Sequence, residues 1–384
     1  MRIALLYDPW LLSARKTLDL DGYRDDPRGM TGSEQCAVRL YEELRAAGHS
    51  VRLFTASKGY VRDIGGGVEN WHERGNWTND LAISINCPDG LREVNAKFKV
   101  CYALLNDWTF CKVGFEKHVD LFVSPSQPHL EQVLTNPAWR RVEMAPDAPN
   151  GRGRYEPDPS KWCVVPLGTD PERYEGVKKV PGRVVYCSSP DRGLHWLLQE
   201  WPRIKQAVPH AHLRIFYRLQ KWIDDLKSAQ QPDGSVFHSV RALFDRAMYI
   251  EEALRRMSDP KWGIEVRDSV SRATIEREMA EAEVLAYPCD TTTWSEGFSC
   301  TVLEACAARA CPVIWDTDAL GSIYGDAGVV VPRGNVNQFR EEVIAALEDE
   351  RYRANINERA HRFAQAHTWK VTAEKLMAAI EERL

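Results

Sequence analysis

Short apolar runs alternate with amphipathic stretches along most of this chain. Residues 2–7, Arg-Ile-Ala-Leu-Leu-Tyr, predict a buried strand. A long polar loop follows over 8–30, and Thr31-Gly32-Ser33-Glu34 opens a helix reaching about Ala47. Within it Cys36, Ala37, Leu40, Tyr41 and Leu44 recur at helical spacing and make one apolar face. Gly48 stops that helix, and residues 51–54 predict the next strand. Further strands are predicted over 81–85, 100–105, 121–124 and 163–166. Strands interleaved with helices imply a parallel sheet covered on both faces.

The pattern ends at Leu167-Gly168-Thr169-Asp170 and restarts at residues 184–187. Between them a polar stretch with Lys and Gly, 175–182, predicts a hinge. A helix over 193–207, a strand over 212–217, a helix over 272–282, a strand over 284–288, a helix over 299–309 and a strand over 312–315 follow. The fold class is therefore α/β, with two doubly wound domains and ligand expected at the C-terminal ends of the strands. The expected domains are 1–175 and 176–368, with a helical insertion at about 219–262 broken by Pro232-Asp233-Gly234. A last helix, within 369–384, carries Val371, Leu376, Met377 and Ile380.

Composition changes this picture little. With 384 residues, 44% apolar and 27% charged, the chain reads as a globular protein of two or three domains. A net charge of −5 gives no bulk basic field for nucleic acid or membrane. No apolar run approaches the ~20 residues needed to span a bilayer, and the N-terminus reads as a strand rather than a signal peptide. Ten scattered cysteines without a C-x-x-C pair point to free thiols and a cytoplasmic setting. Most of the thirteen tryptophans are expected to pack in the core.

The chemistry concentrates at Ser295-Glu296-Gly297-Phe298-Ser299-Cys300-Thr301-Val302-Leu303-Glu304. This stretch runs from a strand end into a helix, and two carboxylates bracket it with seven residues between them. A loop entering a helix offers unpaired N–H groups and a positive dipole end, which suits a diphosphate. Ionised carboxylates beside it suit hydroxyl-rich groups, since they accept strong hydrogen bonds from sugar O–H donors. Together they suggest a sugar-nucleotide site.

This stretch resembles the E-x7-E signature of retaining glycosyltransferases with the GT-B fold, of the glycogen synthase and family-4 type. The resemblance extends over most of the chain and is weakest at 219–262. It implies two Rossmann-like domains facing across a cleft, with the acceptor on the N-terminal one and the nucleotide sugar on the C-terminal one. It also implies final helices that cross back to the N-terminal domain. By resemblance Glu296 faces the donor sugar and Glu304 binds the ribose. The amides of Phe298, Ser299 and Cys300 would meet the diphosphate. Arg309 stands where the family usually has Gly.

Other motifs sit at loop positions of the same kind. In Ser188-Ser189-Pro190-Asp191-Arg192-Gly193-Leu194, Arg192 precedes a helix and is suited to phosphate oxygens by its planar fork. Relatives carry an Arg and, five residues on, a Lys. Here Arg192 takes the Lys position and Cys187 the Arg position, so Arg218 and Lys221 become candidates for a second cation. Gly32-Ser33-Glu34 opens the first helix where the family contacts the diphosphate; it can also be read as a plain cap made by Ser33. Asn106-Asp107 falls where relatives carry His-Asp, and an Asn side chain is neither acid nor base. His118 and His129, nearby, read as surface or packing residues.

Asp19-Leu20-Asp21 and Asp316-Thr317-Asp318 both spell D-x-D, the second reading as a turn. No His/Asp/Glu cluster has metal-ligand spacing, so no required metal is expected. Arg140, Arg141, Arg152 and Arg154 flank a Pro-rich segment that reads as a solvated loop, with an anionic acceptor as the alternative. The expectation is a retaining glycosyltransferase using a UDP- or GDP-sugar and a glycan, lipid or other hydroxyl acceptor. The alternatives are a modified nucleic-acid base as acceptor, which net charge disfavours, or a sugar-nucleotide-binding subunit without turnover.

Overall fold

The central strands of both sheets are runs of buried apolar side chains, which is what a sheet covered on two faces requires. The computed structural model describes residues 1–8, 20, 22–55, 68–105, 108–142, 153–231 and 234–384. The chain divides into two compact units. Unit 1 comprises Met1–Arg24, Met30–Gly168 and His367–Leu384; unit 2 comprises Asp25–Gly29 and Thr169–Ala366. The stretch 175–182 lies within unit 2.

In unit 1 the strands are β1 (Arg2–Tyr7), β2 (Ser50–Thr55), β3 (Val68–Asn70), β4 (Thr78–Ile85), β5 (Asn95–Tyr102), β6 (Leu121–Ser124), β7 (Arg141–Val142), β8 (Gly153–Arg154) and β9 (Trp162–Val164). Seven of them form one parallel sheet in the order β3-β2-β1-β4-β5-β6-β9, while β7 and β8 pair antiparallel. Helix α1 (Gly32–Ala46) buries Cys36, Ala37, Leu40, Tyr41 and Leu44, the stripe read from the sequence. Its cap is Thr31, not Ser33: the Thr31 side chain accepts from the Glu34 N–H at 3.3 Å, and Glu34 Oε2 accepts from the Thr31 N–H at 2.7 Å. Helix α2 (Gln127–Thr135) follows β6, and α11 (Trp369–Glu381) packs on α1. An aromatic cluster fills the sheet's far end, with Trp108 stacked on Phe115 at 5.3 Å and Phe122 on Trp162 at 4.8 Å.

Unit 2 holds β10 (Arg183–Tyr186), β11 (His212–Phe216), β12 (Ile264–Arg267), β13 (Val284–Tyr287), β14 (Cys311–Asp316) and β15 (Val329–Pro332), all parallel in the order β12-β11-β10-β13-β14-β15. Its helices are α3 (Leu194–Ala207), α4 (Leu219–Lys227), α5 (His238–Arg256), α6 (Arg272–Glu281), α7 (Cys300–Ala307), α8 (Leu320–Tyr324), α9 (Val336–Glu348) and α10 (Glu350–Gln365). The stretch read as an insertion supplies α4 and α5; Pro232 and Asp233 lie outside the described residues. The order reverses between β10 and β13, so a crevice at the C-terminal ends of these two strands is the expected ligand position.

The structure corrects several sequence-level bounds. Strand β5 ends at Tyr102 rather than at 105, and β9 at Val164 rather than at 166. Strands β3 and β15 and helices α8 to α10 have no counterpart in the sequence reading. All ten cysteines are free thiols. Among the described residues no helix is long and apolar enough to cross a membrane.

Candidate functional site

Two loops flank the reversal point of unit 2. The first joins β10 to α3 and carries Arg192; the second joins β13 to α7 and carries Glu296. Each is held by local chemistry that the sequence makes legible in hindsight. Gly193 caps α3 with φ +95°, and a Cβ there would lie 1.8 Å from the Pro288 carbonyl oxygen. Only glycine therefore lets the first loop cross so close to the start of the second. Ser299 caps α7, its hydroxyl accepting from the Val302 N–H at 3.4 Å, while the Ser299 carbonyl accepts from Tyr324 Oη at 2.7 Å. Phe298 packs partly buried against the core, its ring 6.0 Å from that of Tyr324.

Glu296 is 3% exposed. Its Oε2 accepts from the Tyr287 hydroxyl at 2.9 Å and pairs with the Arg192 guanidinium. Glu296 keeps Arg192 protonated far beyond its ordinary range, against the opposing cost of burial. Burial pushes the Tyr287 hydroxyl well above its usual value, so it stays a neutral donor. The backbone around Glu296 is pinned by Asp318, whose Oδ2 accepts from the Ser295 N–H and the Glu296 N–H, both at 2.9 Å, and from Thr291 Oγ1 at 3.0 Å. Asp318 has φ +55°, a backbone state that Asp tolerates better than most residues. The second D-x-D runs from the last residue of β14 into a turn at Asp318, whose carboxylate orders the Glu296 loop.

Glu304, on the second turn of α7, is 5% exposed. Its Oε1 lies 2.8 Å from Nη2 of Arg272. That guanidinium also donates to Glu276 Oε1 at 3.2 Å and to Tyr174 Oη at 2.9 Å. Arg173 extends the chain, pairing with Glu276 at 3.1 Å and Asp170 at 3.2 Å. A buried carboxylate needs such partners, because an unpaired one would shed its charge. The Cys187 carbonyl accepts from Thr301 Oγ1 at 2.8 Å, and burial holds the Cys187 thiol protonated. Glu304 thus has its cation in Arg272 from α6, while the end of β10, where the resembled pattern puts a phosphate cation, carries the neutral Cys187.

The other sequence candidates separate. Lys221 faces solvent on α4 and pairs with Asp225 at 2.7 Å. Arg218, half-buried, is the residue before α4, at the C-terminal end of β11. In unit 1, Gly32 is the first residue of α1 and Ser33 Oγ shares a 2.9 Å hydrogen bond with Tyr7 Oη. Asn106, Asp107, Asp19, Asp21 and Arg152 lie outside the described residues. Arg140 pairs with Glu156. His129 is buried, its Nδ1 2.7 Å from Ser124 Oγ, while His118 is 3.1 Å from Arg92. Among the described residues no group of three or more His, Cys, Asp and Glu side chains is placed to hold a metal ion.

Sequence reasoning missed Arg272 and Tyr287, and it read Asp318 only as part of a turn, without its bonds to the Glu296 loop. Arg272 reads as one more charge in a charged helix, and only Ser271, a cap at 3.2 Å from the Thr274 N–H, marks its place at the helix start. Tyr287 sits in the apolar run of β13 and reads as core.

Residues 263–363 match the family model of the glycosyl transferases group 1. A phosphatidyl-myo-inositol mannosyltransferase of Mycolicibacterium smegmatis (strain ATCC 700084 / mc(2)155) is 29% identical over 223 residues, 58% of this chain and 54% of that protein. The match spans about half the length of that curated relative. Among solved structures, sucrose-phosphate synthase from Thermosynechococcus elongatus aligns at TM-score 0.64 and 12% identity over 99% of this chain and 98% of its own. AviGT4, a glycosyltransferase involved in avilamycin A biosynthesis, aligns at 0.61 and 16% identity over 98% and 96%. Anabaena Alr3699/HepE in complex with UDP and glucose aligns at 0.62 and 14% over the whole of both chains. The fold is GT-B, and the sequence matches support a glycosyltransferase.

Proposed function

We propose that this chain is a retaining glycosyltransferase that moves a sugar from a UDP- or GDP-sugar to a hydroxyl acceptor without a metal ion. The observation that carries the reading is the pair of buried carboxylates on one strand-loop-helix unit, each held by its own arginine, beside the reversal point of a parallel sheet. The matched relative is a mannosyltransferase, and a structural neighbour holds UDP and glucose; both support a nucleotide-sugar donor. The ten free thiols support a cytoplasmic setting.

In this reading the diphosphate lies at the start of α7, where first-turn N–H groups lack intrahelical partners. Arg192 is partly exposed and turns toward the phosphate oxygens, sharing its charge between them and Glu296. The glycosidic C–O bond breaks with its electron pair passing to the phosphate oxygen. Fixed donors aimed at that charge lower the barrier by about 2.7–4 kcal/mol each in a comparable oxyanion site. Glu296 accepts from hydroxyls of the donor sugar and Glu304 from those of the ribose. The acceptor oxygen bonds to the anomeric carbon from the face the leaving group vacates, and its proton passes to the departing phosphate. No protein base is needed at Asn106.

The test is the purified protein against UDP-, GDP- and ADP-sugars, with and without EDTA, beside Glu304→Ala. Thermal stabilisation and slow donor hydrolysis by one nucleotide class, both insensitive to EDTA and both lost in the variant, are expected. A donor at a hundred times its Kd stabilises by about 2.7 kcal/mol. Stabilisation without hydrolysis under every acceptor tried would favour a binding subunit, a reading motivated by the neutral Cys187 in place of a cation. No response to any nucleotide would sink the proposal.

A further inference from the structure

We infer that Arg246, on α5, is a positioning residue that fixes the Arg192 loop against the Glu296 loop; the inference rests on the transfer reaction proposed above. Helix α5 belongs to the long β11–β12 crossover. It buries Ala247 and Ile250 and packs on α3 and α4. That packing turns Arg246 toward the C-terminal edge of the sheet. Its Nη1 donates to two main-chain carbonyls, Asp191 O and Asp290 O, and its Nη2 to the Asp290 carboxylate at 2.9 Å. Asp191 immediately precedes Arg192, and Asp290 stands in the loop that leads to Glu296. One guanidinium therefore spans both loops.

Neutralising Asp290 does not explain this arrangement. Arg333 already holds Asp290 Oδ1 through Nε at 3.0 Å, and Trp196 Nε1 donates to Asp290 Oδ2 at 3.0 Å. What Arg246 adds is the bond to Asp191 O, a cross-loop tie. The planar guanidinium suits it, since one fork can address two carbonyls and a carboxylate at fixed angles, and a lysine ammonium has no such pre-set geometry. The Arg246 side chain is 15% exposed, so water replaces these bonds poorly. Loss of the tie frees the backbone beside Arg192, and a misplacement of about 1 Å remote from the reacting atoms can cost on the order of 100-fold in rate.

The experiment compares Arg246→Met, Arg246→Lys and, as a control, Arg241→Ala on the same helix, whose pair with Asp245 is exposed. The readouts are kcat and KM for donor hydrolysis, thermal midpoints, and the effect of Arg246→Met in an Arg192→Met background. Arg246→Met should lower kcat roughly 10- to 100-fold, with donor KM within about threefold and Arg246→Lys intermediate. In the Arg192→Met background the same change should cost less than about threefold, because the group it positions is gone. Arg241→Ala should match the wild type.

A kcat for Arg246→Met equal to that of Arg241→Ala would overturn the inference while leaving the transfer reaction intact. So would an equal loss in both backgrounds, which marks a merely structural role. If Arg246→Met does not fold, Arg246→Lys decides: wild-type kcat refutes the fork geometry, and a reduced kcat at unchanged KM supports it. A wild-type protein that turns over no donor refutes the transfer reading and the inference with it.

Discussion

Replacing Gly193 with alanine tests how tightly the two site loops cross. The glycine has φ +95°, and an added Cβ would stand 1.8 Å from Pro288 O and 2.7 Å from Pro288 C, both main-chain atoms that cannot swing aside. Gly176, in the same unit, supplies the control: φ +73° with nothing within 4 Å of its added Cβ. Both substitutions carry the cost of a side chain in the left-handed region, about 1–2 kcal/mol. Both also reduce the entropy of the unfolded chain, which offsets about 0.4–1 kcal/mol in each and cancels in the comparison. Gly193→Ala alone adds overpacking against backbone, about 1–3 kcal/mol. At about 2–4 °C per kcal/mol for a domain of this size, Gly193→Ala should melt roughly 2–12 °C below Gly176→Ala. Calorimetry and tryptophan fluorescence would read the midpoints, and nucleotide titration would read the site. Because relief requires the loops to part, nucleotide affinity should fall in Gly193→Ala and hold in Gly176→Ala. Equal midpoints for the two variants would refute the close crossing.

Three further outcomes are expected. Arg272→Met leaves Glu304 buried without its cation, while Glu276 keeps Arg173, so it should cost about 3–5 kcal/mol by thermal melt and abolish nucleotide stabilisation; retention of both would deny the pairing a role. Asp318→Ala removes the acceptor for the Ser295 and Glu296 amides and should cost about 1–3 kcal/mol, with Asp318→Asn milder; an effect seen only with a divalent cation present would contradict the turn role. Burial lowers the His129 pKa to about 4, while the unfolded imidazole titrates near its ordinary 6.5. The unfolded state therefore takes up the proton first, so stability is complete above about pH 6.5 and falls as pH drops toward 4. His129 should contribute about 2 kcal/mol of loss at pH 5, visible as a shallower acid limb of the denaturation profile in His129→Asn.

The parts of the fold legible in the sequence are those where burial writes its own pattern. Strands β1, β6, β10 and β13 are apolar runs because both their faces are covered, and α1 shows its stripe because one face is. Strand β3, Val-Glu-Asn at a sheet edge, is short and half polar, so no pattern marks it. Capping was read two residues off, since Thr31 and Ser33 offer the same hydroxyl and only the bonds with Glu34 distinguish them. At the site, Glu296 and Glu304 were read from their place on a strand-loop-helix unit and from the resemblance, since their spacing alone is common by chance. Arg192 stood out as a phosphate cation at its loop position, but its pairing with Glu296 did not, because the two lie 104 residues apart and meet through the parallel topology. Arg272 and Arg246 depend likewise on which helix crosses which strand end, information that side-chain periodicity does not carry.

The return of the chain to unit 1 sets an order on its biosynthesis. Helix α11 closes over α1, Thr372 Oγ1 donates to Pro166 O at 3.0 Å, and the Trp369 backbone lies so close to Gly168 that a Cβ there would be 2.4 Å from the Trp369 nitrogen. Leu376 and Ile380 are fully buried in that contact. Residues 169 to 366 are made between these two halves of one core. At about 5–20 residues per second, unit 1 waits on the order of 10–40 s on the ribosome with its α1 groove uncovered. Unit 2, apart from Asp25–Gly29, emerges within that span, so the unit begun first is the one completed last.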